Sequence, residues 1–144
     1  MKKLLIIVFL GLALYGLYRS HPGFIQSFTE QSTAGDQLLK SAYENRQSHL
    51  QVGGSGVVIK ILPDDLRGSR HQRFILRLSS GQTILISHNM DMAHRIDALR
   101  EGDTVEFFGE YEWNSKGGVV HWTHHDPEGL HPGGWLKHNG STYQ

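Results

Sequence analysis

Residues 71–87, HQRFILRLSSGQTILIS, decide the fold of this chain. Apolar side chains occupy every second position of 74–78 and again of 84–86, which is the period of a β-strand with one buried face. The Ser-Ser-Gly sequence at 79–81 is typical of a short hairpin loop. The stretch therefore predicts an antiparallel hairpin.

Three more strands are predicted by the same alternation outside this hairpin. One runs over 57–62 and ends at the Pro-Asp-Asp sequence of 63–65. A short helix is expected over 92–100, followed by a strand over 105–113 and, beyond an Asn/Gly-rich turn, a strand over 119–124. This chain order is that of an OB-fold, a five-stranded Greek-key barrel, although an open antiparallel sheet with one helix on top has the same order.

The chain on either side of these strands has a different composition. The segment after the leader is rich in Ser, Thr, Gln and Gly and predicts a linker over 21–35, after which Asp36 caps a short amphipathic helix over 37–48. The last residues are rich in Gly, Pro and His and predict an irregular tail. The predicted organisation is a leader at 1–20, a linker with a short helix at 21–50, a β-barrel at 51–126 and the tail at 127–144.

The leader predicts a location in the cell envelope. A basic start, Lys2-Lys3, precedes residues 4–18, which contain no charge and no proline. As a helix this run is about 22 Å long, short of the roughly 30 Å of a bilayer core, which suits a thin inner-membrane anchor or the core of a signal peptide. No good cleavage site follows closely, so an inner-membrane anchor with a periplasmic domain is favoured over a domain secreted to the periplasm.

The composition excludes several classes of protein. Lys and Arg total 14 and Asp and Glu total 14, and without a basic excess no general nucleic-acid binding is expected. Charged residues make up 19%, too few for a disordered chain or a coiled coil. There are no cysteines, which excludes disulfide scaffolds, thiolate metal sites and cysteine nucleophiles. The unusual feature is the presence of ten histidines.

The predicted barrel topology brings many of the histidines and carboxylates together. If the strands pair as in an OB-fold, the ends of strands one, three and five and the starts of strands two and four meet at one pole. The opposite pole receives mainly Gly, Ser, Asn and Lys. The candidate ligand or metal residues at the polar pole are His71, His88, Asp91, His124, His125 and Asp126, with Asp64, Asp65, Arg70 and Asn89 as secondary candidates.

Three chemistries fit this set. Imidazoles and carboxylates are ligands for a divalent metal such as zinc, and three ligands with an open position permit hydrolysis. A histidine beside a carboxylate can act as a general base without a metal, and arginines and amides can bind an anion or a sugar without any reaction. In the hydrolase hypothesis the metal ligands are His71, His88 and either His124 or His125, and the base is Asp91 or Asp126.

Each candidate also has an ordinary structural interpretation. His71 can simply hydrogen-bond a loop, and the pair Asp64 and Asp65 is more often a turn than a ligand pair. His88 and Asp91 can cap the following helix, and Asn89 is the alternative cap. Adjacent His124 and His125 would face opposite sides of a continuous strand. They can therefore bind one metal together only if the strand has already ended.

Longer stretches of the chain resemble a family of small bacterial proteins known only as a domain of unknown function. They are HQRFIL at 71–76, HNMDMAHRI at 88–96, GEYEWNSKGGVVHWTHHDP at 109–127 and GGWLKHNGSTYQ at 133–144. The resemblance covers residues 56–144. It implies a bacterial source and an envelope location, and it carries no activity and no residue roles.

The sequence thus favours an envelope OB-like binding module whose His/Asp pole takes a small ligand or a divalent metal. Binding is favoured over catalysis because OB barrels bind more often than they catalyse, although a fold does not fix a function. The first alternative is a metal-dependent hydrolase acting on a phosphodiester or a polysaccharide. The second is a structural partner of another envelope protein, which would use the Glu-rich face of strand four or the tail.

Overall fold

The computed structural model describes the backbone of residues 22–144 and the side chains of residues 33–144. In that range the chain forms one helix and seven strands, which are α1 (Pro22–Glu44), β1 (Leu50–Ile61), β2 (His71–Leu78), β3 (Thr83–Asn89), β4 (Thr104–Glu112), β5 (Val119–His121), β6 (Trp135–His138) and β7 (Ser141–Tyr143). The predicted apolar helix at 4–18 lies outside the described residues. No helix within the described part is long and apolar enough to cross a membrane.

Five strands close into an OB-fold-like barrel, as the chain order predicted, and do not form an open sheet. The order round the barrel is β1-β2-β3-β5-β4, and β1 closes it by pairing antiparallel with both β2 and β4. Gly56 of β1, for example, is in register with Leu78 on β2 and with Val105 on β4. The antiparallel β2–β3 pair and the parallel β3–β5 pair confirm the other predicted pairings.

Alternate residues of the strands fill the barrel. β2 buries Phe74 and Leu76, and β4 buries Phe107 and Tyr111. The Tyr111 hydroxyl donates to the Gly117 carbonyl, so its polar group is paired inside the core. Each large apolar side chain contributes roughly 1.5–3 kcal/mol when fully buried, so this core is the main favourable term in folding.

Helix α1 closes the pole at which β1 begins. Leu39 and Ala42 are fully buried members of the barrel core. The Asp36 carboxylate accepts hydrogen bonds from the Ser79 hydroxyl and the Ser80 N–H, in the turn between β2 and β3. The part of the helix from Asp36 to Ala42 therefore covers the pole opposite to the one predicted to carry the site.

The helix differs from its sequence-based prediction at both ends. It runs from Pro22 to Glu44, so the segment predicted as a linker at 21–35 is helical from Pro22 onward. Proline is favourable in the first turn of a helix, because its missing N–H has no intrahelical partner there. Asp36 lies within the helix and binds the β2–β3 turn, which explains why it does not act as the predicted cap.

Turns replace the helix that was predicted over 92–100. One turn follows β3, where the Ala93 N–H donates to the Asn89 carbonyl at 3.1 Å. The buried Gln72 side chain then accepts the N–H of Ile96 at 2.9 Å and donates to its carbonyl at 3.0 Å. Because a helix would use both of those backbone groups, the Gln72 side chain favours the turns.

The tail that was predicted to be irregular, residues 127–144, contains a β-hairpin. β6 pairs with β4, and β7 pairs with β6. Asn139 and Gly140 both have positive φ angles, 48° and 79°, as a two-residue type I′ turn requires. Leu136 of this hairpin is fully buried and belongs to the barrel core.

Candidate functional site

A cleft of about 450 Å³ opens at the pole where β3 and β5 end. Its lining includes His71, Asn89, His124 and Asp126, four of the residues that the topology was predicted to gather. The other lining residues are Ser69, Met92, His121, Trp122, Pro127 and Glu128. The volume lies in the range of small-molecule sites.

The way β5 ends places His124 in the cleft. The strand stops at His121 and not at 124 as predicted, because Trp122 adopts a left-handed backbone conformation with a φ of 53°. Beyond it, the Gly134 N–H donates to the His124 carbonyl at 2.8 Å. His124 is 5% exposed and lines the cleft, whereas His125 is exposed and lies outside the lining.

Backbone carbonyls hold His71 and His124 in the same tautomer. The Nδ1 atom of His71 lies 2.8 Å from the Ser69 carbonyl oxygen, and that of His124 lies 2.8 Å from the His125 carbonyl oxygen. A carbonyl oxygen only accepts, so each Nδ1 carries the proton and donates it. In the neutral rings Nε2 is then an unprotonated acceptor. Neither Nε2 atom has a hydrogen-bond partner among the described residues.

His88 is buried and does not line the cleft. It is fully buried, its Nε2 donates to the His94 carbonyl at 3.1 Å, and its Nδ1 accepts the Thr123 hydroxyl at 2.8 Å. Burial is the main cause that lowers the pKa of His88 to about 4, against the His94 hydrogen bond, which raises it. Both ring nitrogens are occupied, so His88 joins β3 to Thr123 and His94 and offers no atom to a metal.

The two carboxylates predicted as bases hold loops in place. Asp126 accepts the N–H groups of Leu130 and His131 at 2.7 and 2.8 Å. These bonds, chiefly the one from His131, lower the pKa of Asp126. Asp91 accepts the Arg70 N–H at 2.8 Å and its guanidinium Nε at 2.7 Å, and both bonds lower the pKa of Asp91. Both groups are therefore weakly basic and already partnered.

The secondary candidates divide between two places. Asp64 pairs with Arg95 at 3.0 Å, and Asp65 accepts the N–H two residues ahead at 3.0 Å. These two carboxylates lie outside the lining of the cleft. Asn89 lines it, and because its Oδ1 accepts the Asp91 N–H at 2.9 Å, its amide nitrogen is the group left for a ligand.

A second polar group lies on the outer wall of the barrel, and sequence patterns did not reveal it. This His–Glu cluster consists of His49, Glu110, Glu112, His121 and His131. Among the described side chains, the one set of three ligand-type atoms within 4.8 Å of one another belongs to this cluster and not to the pole. The signal for it is the β4–β5 register, which places Glu110 opposite His121 and is known only once the strands are paired.

A family model described as Protein of unknown function (DUF3465) matches residues 23–144 of the chain. The matched range includes every residue of the cleft and of the His–Glu cluster. No curated protein matches the chain.

Proposed function

Since the chain belongs to the DUF3465 family, whose members are proteins of unknown function, we propose a function from its own side chains: the cleft binds a neutral, hydroxyl-bearing small molecule, a sugar or polyol. The membership confirms the family resemblance of the sequence. The observation that carries the proposal is the pair of imidazoles of His71 and His124, each fixed through Nδ1 on a backbone carbonyl and with Nε2 unpaired in the lining.

The charge of the lining argues against an anionic ligand. The lining contains no Lys or Arg, and its acidic members are Asp126 and Glu128. Carboxylates and phosphates are normally held by Arg or Lys side chains. Arg70, which lies in the chain between the lining residues Ser69 and His71, already pairs with Asp91 at 2.7 Å. A neutral ligand is therefore favoured over the anion that the sequence left open.

Hydroxyl groups match the hydrogen-bonding groups of the cleft. The Nε2 atoms of His71 and His124 accept, so they need donors, whereas the amide nitrogen of Asn89 donates. A hydroxyl both donates and accepts. A sugar or polyol presents several hydroxyls on adjacent carbons and can satisfy both kinds of group at once.

Apolar lining residues support a molecule with a carbon skeleton. Met92 is 42% exposed, and Trp122 and Pro127 also contribute to the lining. Trp122 is held in place by stacking on His131, with ring centroids 4.0 Å apart and planes inclined by 11°. Small-molecule sites combine such apolar surface with a few placed polar groups.

Binding is favoured over hydrolysis at this pole. Both nitrogens of His88 are occupied and Asp91 and Asp126 are engaged, and among the described side chains no three ligand-type atoms of the cleft lie within 4.8 Å of one another, whereas a zinc site needs three or four ligands. Asp91 and Asp126 are also the general bases of the hydrolase hypothesis, and their hydrogen bonds make both of them weak bases. The arrangement suits recognition of a ligand without a reaction.

The leader supports placing this binding module in the cell envelope. Lys2 and Lys3 before the uncharged run at 4–18 favour a cytoplasmic amino terminus and an exported domain. The proposed location is the inner membrane with the barrel in the periplasm, or the periplasm itself if the leader is cleaved.

Calorimetric titration of the untagged full chain with glucose, N-acetylglucosamine and glycerol tests the proposed function. At least one of the three is expected to bind. His71→Gln and His124→Gln are each expected to weaken binding about tenfold, because each removes a hydrogen bond to the ligand. His125→Gln is the matched control, since it alters an exposed histidine beside the cleft, and it should leave the affinity unchanged. Absence of binding by all three compounds, or equal affinity in His124→Gln, would overturn the proposal.

A further inference from the structure

Three neighbouring strands place the His–Glu cluster on one patch of the outer barrel wall. Glu110 and Glu112 point to the same side of β4, because they are two residues apart. His121 on β5 is directly opposite Glu110, and His49 immediately precedes β1, whose first residue pairs with β4 between the two glutamates. Barrel closure thus brings together groups 72 positions apart in the chain.

Three ligand-type atoms of this patch lie close enough together to share one ion. His49 Nδ1 lies 2.8 Å from Glu112 Oε1 and 3.4 Å from Glu110 Oε1, and all three atoms are within 4.8 Å of one another. His121 Nε2 lies 3.6 Å and 3.9 Å from the same two carboxylate oxygens. Ligand atoms about 2.0–2.2 Å from a tetrahedral zinc ion are about 3.3–3.6 Å apart, so the atoms of His49, Glu110 and Glu112 lie near the spacing that one ion requires. His121 Nε2, which faces both carboxylates, is the candidate for the fourth ligand.

His121 has a nitrogen without a hydrogen-bond partner. Its Nε2 atom is buried and makes no hydrogen bond within the described residues, although it faces the Glu110 carboxylate. An unpaired buried nitrogen normally costs free energy, and such groups in a native protein call for an explanation such as a missing ion. A cation bonded to Nε2 would supply the partner.

Within the described part of the chain, the two glutamates pair with histidines alone. Neither Glu110 nor Glu112 forms an ion pair with a Lys or Arg in the described part of the chain, and their charged neighbours are histidines. His131 Nε2 lies 2.5 Å from the second oxygen of Glu110, so it orients that carboxylate from outside the group of four atoms. Such outer partners commonly position metal-binding carboxylates.

We propose that His49, Glu110, Glu112 and His121 form a binding site for a divalent transition-metal ion of the zinc type. Two imidazole nitrogens and two carboxylate oxygens suit zinc, whereas magnesium and calcium prefer oxygen ligands alone. His131, stacked on Trp122, is the positioning residue for Glu110. The metal site shares His121 with the lining of the cleft, but the proposal for the metal does not depend on the sugar proposed there.

Titration of the untagged, chelator-treated full chain with Zn²⁺ in a calorimeter tests the site. One zinc ion per chain is expected to bind. Glu112→Gln and His49→Ala should each weaken binding by at least about tenfold, because replacing even outer partners of a metal ligand commonly costs that much. Mg²⁺ should not compete. The thermal midpoint of each variant without metal shows that it still folds, which is expected because His49 is 81% exposed.

Two control variants separate this site from the rest of the surface. Glu106→Gln changes a glutamate on the same face of β4, and His94→Ala removes an exposed histidine; neither should alter zinc binding. Failure of the unaltered chain to bind Zn²⁺, or equal affinity in Glu112→Gln, would overturn the proposal. If His71→Gln lost zinc binding while Glu112→Gln kept it, the ion would lie at the pole. That result would also overturn the proposal.

Discussion

Histidine side chains differ in this protein according to what their ring nitrogens contact. His71 and His124 each have one nitrogen on a backbone carbonyl and one unpaired. His88 has both nitrogens paired inside the core, and His138 bonds the Asp103 carboxylate at 2.7 Å. The same residue type therefore serves as a core hydrogen-bonding group and as an ion-pair partner, and in the cleft it is the proposed ligand-binding group. These roles depend on contacts that the residue type alone does not determine.

His88 should make the stability of the protein depend on pH. Its pKa is about 4 in the folded state and 6.5 when unperturbed, so the unfolded state binds more protons between these values. The free energy of unfolding is then complete above pH 6.5 and falls as the pH drops, by about 3 kcal/mol in total at pH 4. Chemical denaturation at a series of pH values measures this slope.

Replacing His88 isolates its contribution to that slope. His88→Gln should lower the free energy of unfolding at pH 7.5 by about 1–3 kcal/mol, since it leaves a buried group unpaired, and should flatten the curve between pH 6.5 and 4. His94→Gln, at an exposed histidine, should keep the slope of the unaltered chain. An unchanged slope in His88→Gln would show that another group titrates there.

Strand β4 passes unusually close to β5, and this approach requires a glycine. A Cβ atom on Gly109 would lie 2.4 Å from the His121 carbonyl oxygen and 3.0 Å from side-chain atoms of Thr123 and Val120. The obstacle is backbone, which cannot move without disturbing the strand. Gly109 thus allows β5 to end where it places His121 and the cleft residues.

Gly109→Ala should destabilise the barrel by about 1–3 kcal/mol, the usual cost of inserting a methyl group into a packed interior. Gly53→Ala is the matched control on β1, because its Cβ would meet the movable ring of Phe108 at 3.2 Å. Urea denaturation of both variants gives the comparison. A cost for Gly53→Ala equal to that for Gly109→Ala would contradict the role given to the β4–β5 contact.

The alternation of apolar residues predicted the five barrel strands, although the first begins at Leu50 and not at 57, and the OB-fold chain order predicted their pairing. The alternation was not sufficient for the segment after β3, where the Gln72 side chain takes the Ile96 backbone groups from a local helix. Gln72 and Ile96 are far apart in the chain, so their contact produces no pattern in the sequence around residues 92–100. The β6–β7 hairpin was missed for a different reason: the Asn139-Gly140 turn signal is present but was outweighed by the Gly/His-rich composition around it.

The hairpin at the end of the chain is part of the barrel core and not an appendage. Leu136→Ala should cost about 2–5 kcal/mol, because Leu136 is fully buried among core residues. Leu130→Ala is the matched control, since that leucine is 84% exposed, and its change should be within about 0.5 kcal/mol of zero. Thermal or urea denaturation of both variants measures the two changes in the free energy of unfolding. A small effect of Leu136→Ala would show that the hairpin does not contribute to the cooperative unit.

For the chain as a whole, the predicted topology indicated which residues lie together at the pole. It did not indicate which hydrogen bonds each of them makes. His71, Asn89, His124 and Asp126 were expected at one pole, and the structure lines one cleft with them. The engagement of Asp126 with the loop that follows it was not predictable, because it depends on how that loop folds back. The His–Glu cluster was not predicted, because it depends on the register between β4 and β5.

The central claim, that barrel closure presents two unprotonated imidazole nitrogens in one cleft, is tested most directly by nitrogen NMR of the histidine rings. In the ¹⁵N-histidine-labelled full chain at pH 8, His71 and His124 should both carry their proton on Nδ1. Adding the sugar or polyol that binds should shift both of their Nε2 signals and leave those of exposed His94 and His125 unchanged. A proton on Nε2 in either cleft ring, or equal shifts in all four histidines, would contradict the account.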